Sequence, residues 1–254
     1  MAATESNASP SDDIAPPPAA GRVFETERTV SIADANPDGR MEFDAIGRFL
    51  QDAGNADTDD AGLPQLGLAW VARRCAIEIF QYGSAREQLT LRTWCSGTGA
   101  RWAERRTSIH GSAGAHIEAS ALWIHIDAET GRPTKWGDAF AEAYLEAAGG
   151  REVDSRLRHP KRPPEEAANR MPFRFRQTDM DAFRHVNNAA YLAILEEALG
   201  GHAPHAPLRV EIEWRKPSLA GEDLEVVETM GPDGIQQWVM ADGEVRATIA
   251  GRPL

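Results

Sequence analysis

One strand–turn–helix pattern occurs twice in this chain, and it limits the fold more than any other feature. Asp34 and Asp179 stand 145 residues apart. The same spacing, with no gap, sets Asn36 on Asp181, Arg40 on His185, Met41 on Val186, Phe49 on Ile194 and Leu50 on Leu195. Farther on, at a spacing of 135, Glu87–Leu91 (EQLTL) falls on Glu222–Val226 (EDLEV), and Ile77-Glu78 falls on Ile212-Glu213. A repeated unit of strand, turn, helix and further strands must bury its helix against its own sheet. The class is therefore α+β with a duplicated unit.

The second copy carries the chemistry. Phe173, Phe175 and Gln177 alternate with Arg174, Arg176 and Thr178, which predicts a strand. The chain then turns through Asp179 and Asp181. Val186, Tyr191, Ile194, Leu195 and Ala198 recur at helical spacing and describe one buried face of a helix of about 12 residues. Asp181, His185, Asn187 and Asn188 cluster where it begins. Each alone has a structural use: aspartate caps helices, and asparagine satisfies loop groups. Together, a carboxylate base, an imidazole and the free N–H groups of a helix start suit hydrolysis of an ester or thioester. In the first copy Asn36 and Arg40 offer neither carboxylate nor imidazole, so that half is degenerate for this reaction.

The segment RQTDMDAFRHVNNAAYL (Arg176–Leu192) resembles the plant and bacterial fatty acyl-ACP thioesterases. Arg176, Asp179, Asp181, His185, Val186, Asn187, Asn188 and Tyr191 match that motif in register. The stretches from Thr93 to Gly111 and from Ser120 to Trp136 resemble the same family's Thr-Trp strand and its Trp strand with an Asp-x-x-Thr turn. The resemblance covers roughly residues 23–254. It implies two tandem hot-dog units with paired sheets, hydrolysis of acyl-ACP or acyl-CoA thioesters, and a first half that shapes the acyl pocket. It implies no cofactor and no metal.

This sequence departs from the family at two places. The Asn that the plant enzymes place between Asp and His falls on Phe183. Their Tyr-Arg-Arg-Glu-Cys strand is here Trp214, Arg215, Lys216, Pro217 and Ser218. Pro217 offers no acid–base group, and Ser218 without an adjacent base is a poor replacement for a thiol. The expected machinery is therefore simpler. Asp181 is the base for water, with the nucleophile itself as the alternative role, His185 orients it or the water, backbone amides near Val186–Asn188 polarise the carbonyl, and Asn187 or Asn188 holds the loop, with Ser218 a secondary candidate. The alternatives are a non-catalytic acyl-binding protein and a hot-dog hydratase. The second needs a His two residues after Pro37, where Gly39 stands.

Composition bounds the rest. A net charge of −12 argues against nucleic acid or an anionic membrane as the main partner, and makes a local basic patch necessary for docking an acidic carrier. The basic groups singled out are Arg101, Arg105 and Arg106, and the Arg/Lys/Pro-rich residues 151–171. No apolar run approaches a membrane span. Cys75 and Cys95 form no ligand-like pattern and read as reduced core residues of a cytoplasmic protein. His202 and His205, on a Pro-broken loop without a third ligand, do not make a metal site. The expected organisation is a disordered tail over 1–21, an N-terminal hot-dog over 22–150, a linker over 151–171 and a catalytic hot-dog over 172–254. Association into a homodimer is left open.

Overall fold

A computed structural model describes residues 10–11, 14–63, 68–166, 169–199 and 206–254. The first half comprises β1 (Phe24–Thr29), α1 (Phe43–Asp60), β2 (Leu68–Gln81), β3 (Gln88–Gly99), β4 (Trp102–Gly111), β5 (His116–Asp127) and α2 (Asp138–Ala148). The second comprises β6 (Asn169–Phe173), α3 (Leu192–Ala198), β7 (Leu208–Trp214), β8 (Leu224–Gly231), β9 (Gly234–Ala241) and β10 (Glu244–Pro253). The ten strands form one antiparallel sheet in the order β1-β3-β4-β5-β2-β7-β10-β9-β8-β6. Each half thus repeats the other's strand order, and the halves join through β2 and β7. This is the double hot-dog architecture.

The seam shows how regular the duplication is. Ala76 pairs with Glu211, its own counterpart at a spacing of 135, flanked by Cys75–Ile212 and Ile77–Val210. A quasi-two-fold axis therefore passes through the Ala76–Glu211 pair. Phe43, Ile46, Phe49 and Ala53 form the buried stripe of α1. It packs with Cys75, Ile77 and Ile79 of β2 and with Val210 and Ile212 of β7. Burying each large side chain contributes about 1.5–3 kcal/mol. α1 and α3 lie side by side over this face. A Cβ on Gly47 would come within 2.9 Å of both Ala189 Cβ and Leu192 Cδ1, so only glycine lets the helices approach this closely. Gly47 and Leu192 are also repeat counterparts, and the axis passes between them.

Local chemistry overrides the sequence pattern at the start of the second half. The predicted strand ends at Phe173, and the chain turns as a 3-10 helix over Gln177–Asp179. Asp179 accepts from Arg176 N at 2.7 Å, a local bond that replaces the strand ladder. Phe175 is still buried, edge-on to Tyr191 at 4.7 Å. The predicted helix is shorter: a 3-10 turn over Asn188–Tyr191 precedes α3. Asn187 Oδ1 accepts from Ala189 N at 2.8 Å, a tight cap that sets a narrow first turn. His202 and His205 lie outside the described residues.

The outer face of the sheet carries buried charge. Ser108, Glu118, Glu78 and Arg209 lie in register across β4, β5, β2 and β7. The segment expected to be a disordered tail covers this row in part: Ser11 N donates to Glu78 at 3.0 Å, Arg106 Nε donates to Ala15 O at 2.9 Å, and Ile14 is buried. Ile14 and Ala15 are therefore packed against the sheet, while most of residues 16–21 are exposed. Arg105 and Arg106 are not free for a basic docking patch. Arg106 pairs with Glu118 at 2.7 Å, and Arg105 pairs with Asp57 at 2.6 Å. Arg101 is exposed.

The connection between the halves crosses the same outer face and is held by its carbonyls. Arg74 donates to Arg156 O at 2.6 Å, Arg215 to His159 O at 3.1 Å and Trp238 Nε1 to Pro160 O at 3.0 Å. His159 Nδ1 lies 3.0 Å from Thr248 Oγ1. Burial pushes the His159 imidazole below its ordinary value and outweighs the opposing pull of Glu213 and Glu211. A depressed folded value means that the unfolded chain binds the proton first. Stability from this site is full above about pH 6.5 and is lost as pH falls toward the lower folded value. Thermal melts from pH 7.5 to 5.0 should show a falling Tm, with a shallower slope in His159→Gln. An unchanged slope in the variant would remove His159 from the pH response.

Candidate active site

The loop from Arg176 to Asn188 is built by backbone bonds, and the first half repeats them. Asp181 N donates to His185 O at 2.9 Å, as Asn36 N does to Arg40 O. Asn187 N donates to Asp179 O at 2.8 Å, as Glu42 N does to Asp34 O at 3.0 Å. Val186 N donates to Ser218 O at 3.1 Å, as Met41 N does to Gly83 O at 2.8 Å. Arg184 and Gly39 both take positive φ, 63° and 78°.

The same comparison assigns half of Asp181. Its Oδ1 accepts from Phe183 N at 2.9 Å and His185 N at 3.3 Å. In the first half Asn36 Oδ1 accepts from Asp38 N at 3.1 Å and Arg40 N at 3.0 Å. One oxygen of Asp181 is therefore a loop staple that a neutral asparagine can supply equally well. Its Oδ2 accepts no hydrogen bond among the described residues, and is the oxygen left for chemistry. Asp181 is half-buried, while Phe183 and His185 are exposed.

The amides expected to polarise a carbonyl are mostly committed. Val186 N and Asn187 N serve the carbonyls of Ser218 and Asp179. Asn188 N, first in its 3-10 turn, has no acceptor among the described residues. Asn187 is the cap of that turn. Ser218 is fully buried beside the Tyr191 hydroxyl, with its carbonyl on Val186 N. It belongs to the floor of the loop. The thiols give no substitute nucleophile, because burial pushes Cys75 up to about 12 and Cys95 to about 11.

Sequence reasoning missed what happens in the first half. Phe43 N, the counterpart of Asn188 N, donates to Glu196 Oε2 at 3.2 Å, and Arg40 donates to Glu196 Oε1. The Arg40 guanidinium also covers the Tyr82 ring at 4.7 Å. The first-half loop is thus closed by an ion pair reaching from α3. His185, the counterpart of Arg40, makes no such contact among the described residues. The signal available in the sequence was Glu196 standing one turn beyond Leu192.

Two other polar clusters lie on the outer face, away from this loop. A cavity of about 160 Å³ under the linker is lined by Arg74, Arg151, Glu104, Asp154 and Glu211, among others. Its charges pair internally, as in Arg151–Glu104 and Arg74–Asp154. His110, His116 and Glu118 present ligand atoms within 4.8 Å of one another. Glu118 is already engaged by Arg106 and Ser108, each at 2.7 Å.

A family model for the acyl-ACP thioesterase N-terminal domain matches residues 21–144, and one for the C-terminal domain matches residues 162–248. The chain belongs to the acyl-ACP thioesterase family. It is a thioester hydrolase of fatty acyl-ACP. A protein of Mycobacterium tuberculosis described as uncharacterized is 28% identical over 236 residues, 91% of this chain and 92% of that one. The chloroplastic oleoyl-acyl carrier protein thioesterase of Coriandrum sativum is 24% identical over 177 residues, 61% of this chain and 48% of that one. The 12:0-ACP thioesterase of Umbellularia californica superposes with a TM-score of 0.76 at 17% identity, covering 91% of this chain and 96% of its own. No helix among the described residues is long and apolar enough to cross a membrane.

Proposed function

We propose that this thioesterase uses Asp181 as general base for water and Asn188 N–H as a donor to the thioester carbonyl. Asp181 Oδ2 takes the proton as water attacks, while Oδ1 keeps the loop fixed. Negative charge develops on the carbonyl oxygen and is met by the uncommitted amide. His185 orients the water or the carboxylate. Asn187 holds the turn through its cap, and Asn188 supplies the donor through its backbone. The thiolate leaves readily, so no strong acid is required. The observation that carries this reading is Phe43 N–H. At the matching place in the first half, the same amide holds an anionic oxygen at 3.2 Å.

The substrate is an acyl thioester on acyl carrier protein, with acyl-CoA as the second carrier, and the first half shapes the acyl pocket. Exposed Arg174, Arg176 and Arg184 border the loop; the first two pair with Asp223 and Asp179, which leaves Arg184 as the basic group offered to an acidic carrier on a chain of net charge −12. Two buried, unpaired cysteines fit a cytoplasmic protein. The site is complete within one chain, and a homodimer is tested by sizing against the 27.7 kDa monomer.

The deciding assay is thiol release from acyl-ACPs and acyl-CoAs of C4 to C18. Turnover should appear with at least one chain length and be faster on ACP. Tight acyl binding with no thiol release from any substrate would instead favour an acyl-binding protein.

A further inference from the structure

We infer that Gln51, on α1 of the first half, is a catalytic residue of the second half, donating its side-chain amide to the thioester carbonyl beside Asn188 N–H. This rests on the assignment of the Asp181 loop above.

The argument is geometric. α1 and α3 run antiparallel and touch at Gly47 and Leu192, the two repeat counterparts on the quasi-two-fold axis. On an α-helix, residues four apart lie on one face. Glu196 stands one turn beyond Leu192, and it reaches across to Phe43 N, one turn before Gly47. Gln51 stands one turn beyond Gly47. The same step across the axis brings it to the 3-10 turn that Asn188 opens, directly before Leu192. Gln51 is half-buried, as Glu196 is, and its side chain has no hydrogen bond among the described residues.

The residue types explain why one half is open and the other closed. Glu196 can only accept, so it sits on Phe43 N–H and, with Arg40, fills the place a carbonyl oxygen would take. Gln51 carries an N–H₂ group. A neutral donor beside Asn188 N–H leaves that place free and adds a second donor aimed at it. Two donors on one oxygen is the arrangement that favours a tetrahedral oxyanion over a ground-state carbonyl.

The test compares wild type with Gln51→Ala and Gln51→Glu on the fastest acyl-ACP of the panel. Loss of one oxyanion donor should lower kcat by about 10²-fold, with KM changed less than threefold. Gln51→Glu should be at least as slow, because it recreates Glu196 at the working site. A kcat for Gln51→Ala within threefold of wild type overturns the inference and leaves the Asp181 reading intact. A wild type that releases no thiol overturns that reading. Placement of Gln51 is then decided without turnover, by thermal melts of Gln51→Glu, His185→Arg and the double variant, which rebuilds the Arg40–Glu196 pair. A double-variant Tm above the sum of the single shifts supports the placement, and additive shifts overturn it.

Discussion

Asp181→Asn should lower kcat for acyl-ACP hydrolysis by 10²–10⁴-fold, the range a positioned general base supplies, while leaving the melting temperature almost unchanged. The first half makes this a clean experiment. Asn36 already holds the equivalent loop through the same two amide contacts, at 3.1 and 3.0 Å. Asparagine at 181 therefore keeps the bonds to Phe183 N and His185 N and removes only the proton acceptor. Asp181→Ala removes both, and the loosened loop should cost about 1 kcal/mol of stability besides. Thiol release and thermal melts on the two variants separate base from staple. Turnover of Asp181→Asn within threefold of wild type would show that the carboxylate's role is structural, as in the first half.

The largest stability effect lies elsewhere. Asp57→Ala should destabilise the fold by about 3–5 kcal/mol, because it leaves a buried guanidinium without its counter-charge. Asp57 is 1% exposed. It accepts from Arg105 at 2.6 Å, Arg22 at 2.7 Å and the Tyr144 hydroxyl at 2.8 Å. These partners come from β4, the segment before β1, and α2, so one carboxylate ties three parts of the first half to the end of α1. For a chain of this size the loss corresponds to a drop in Tm on the order of 10 °C. Urea denaturation of Asp57→Ala measures it. A loss below 1 kcal/mol would mean that water replaces the carboxylate at Arg105. None of these partners belongs to the Arg176–Asn188 loop, so kcat at a temperature where the variant is folded should stay near wild type.

The sequence alone determined the duplication, the α+β class and the order of elements. These are readable because hydrophobic periodicity and a repeated register are properties of neighbours along the chain. The turn between β9 and β10 is just as local: Asp242 and Gly243 both take positive φ, 50° and 74°. Tertiary structure decided what each polar group has left to offer. Arg105 and Arg106 read as candidates for a basic patch until the fold supplies Asp57 and Glu118. Residues 1–21 read as a tail, but Glu78 holds Ser11 and Arg106 holds Ala15. Asp181 reads as a whole carboxylate until the loop claims one oxygen, and the amides of Val186 and Asn187 read as free until Ser218 and Asp179 claim them. The ion pair from Arg40 to Glu196 joins residues 156 positions apart. A hydrogen bond is a statement about distance in space, and only packing the two helices against one sheet fixes which donors and acceptors remain unspent.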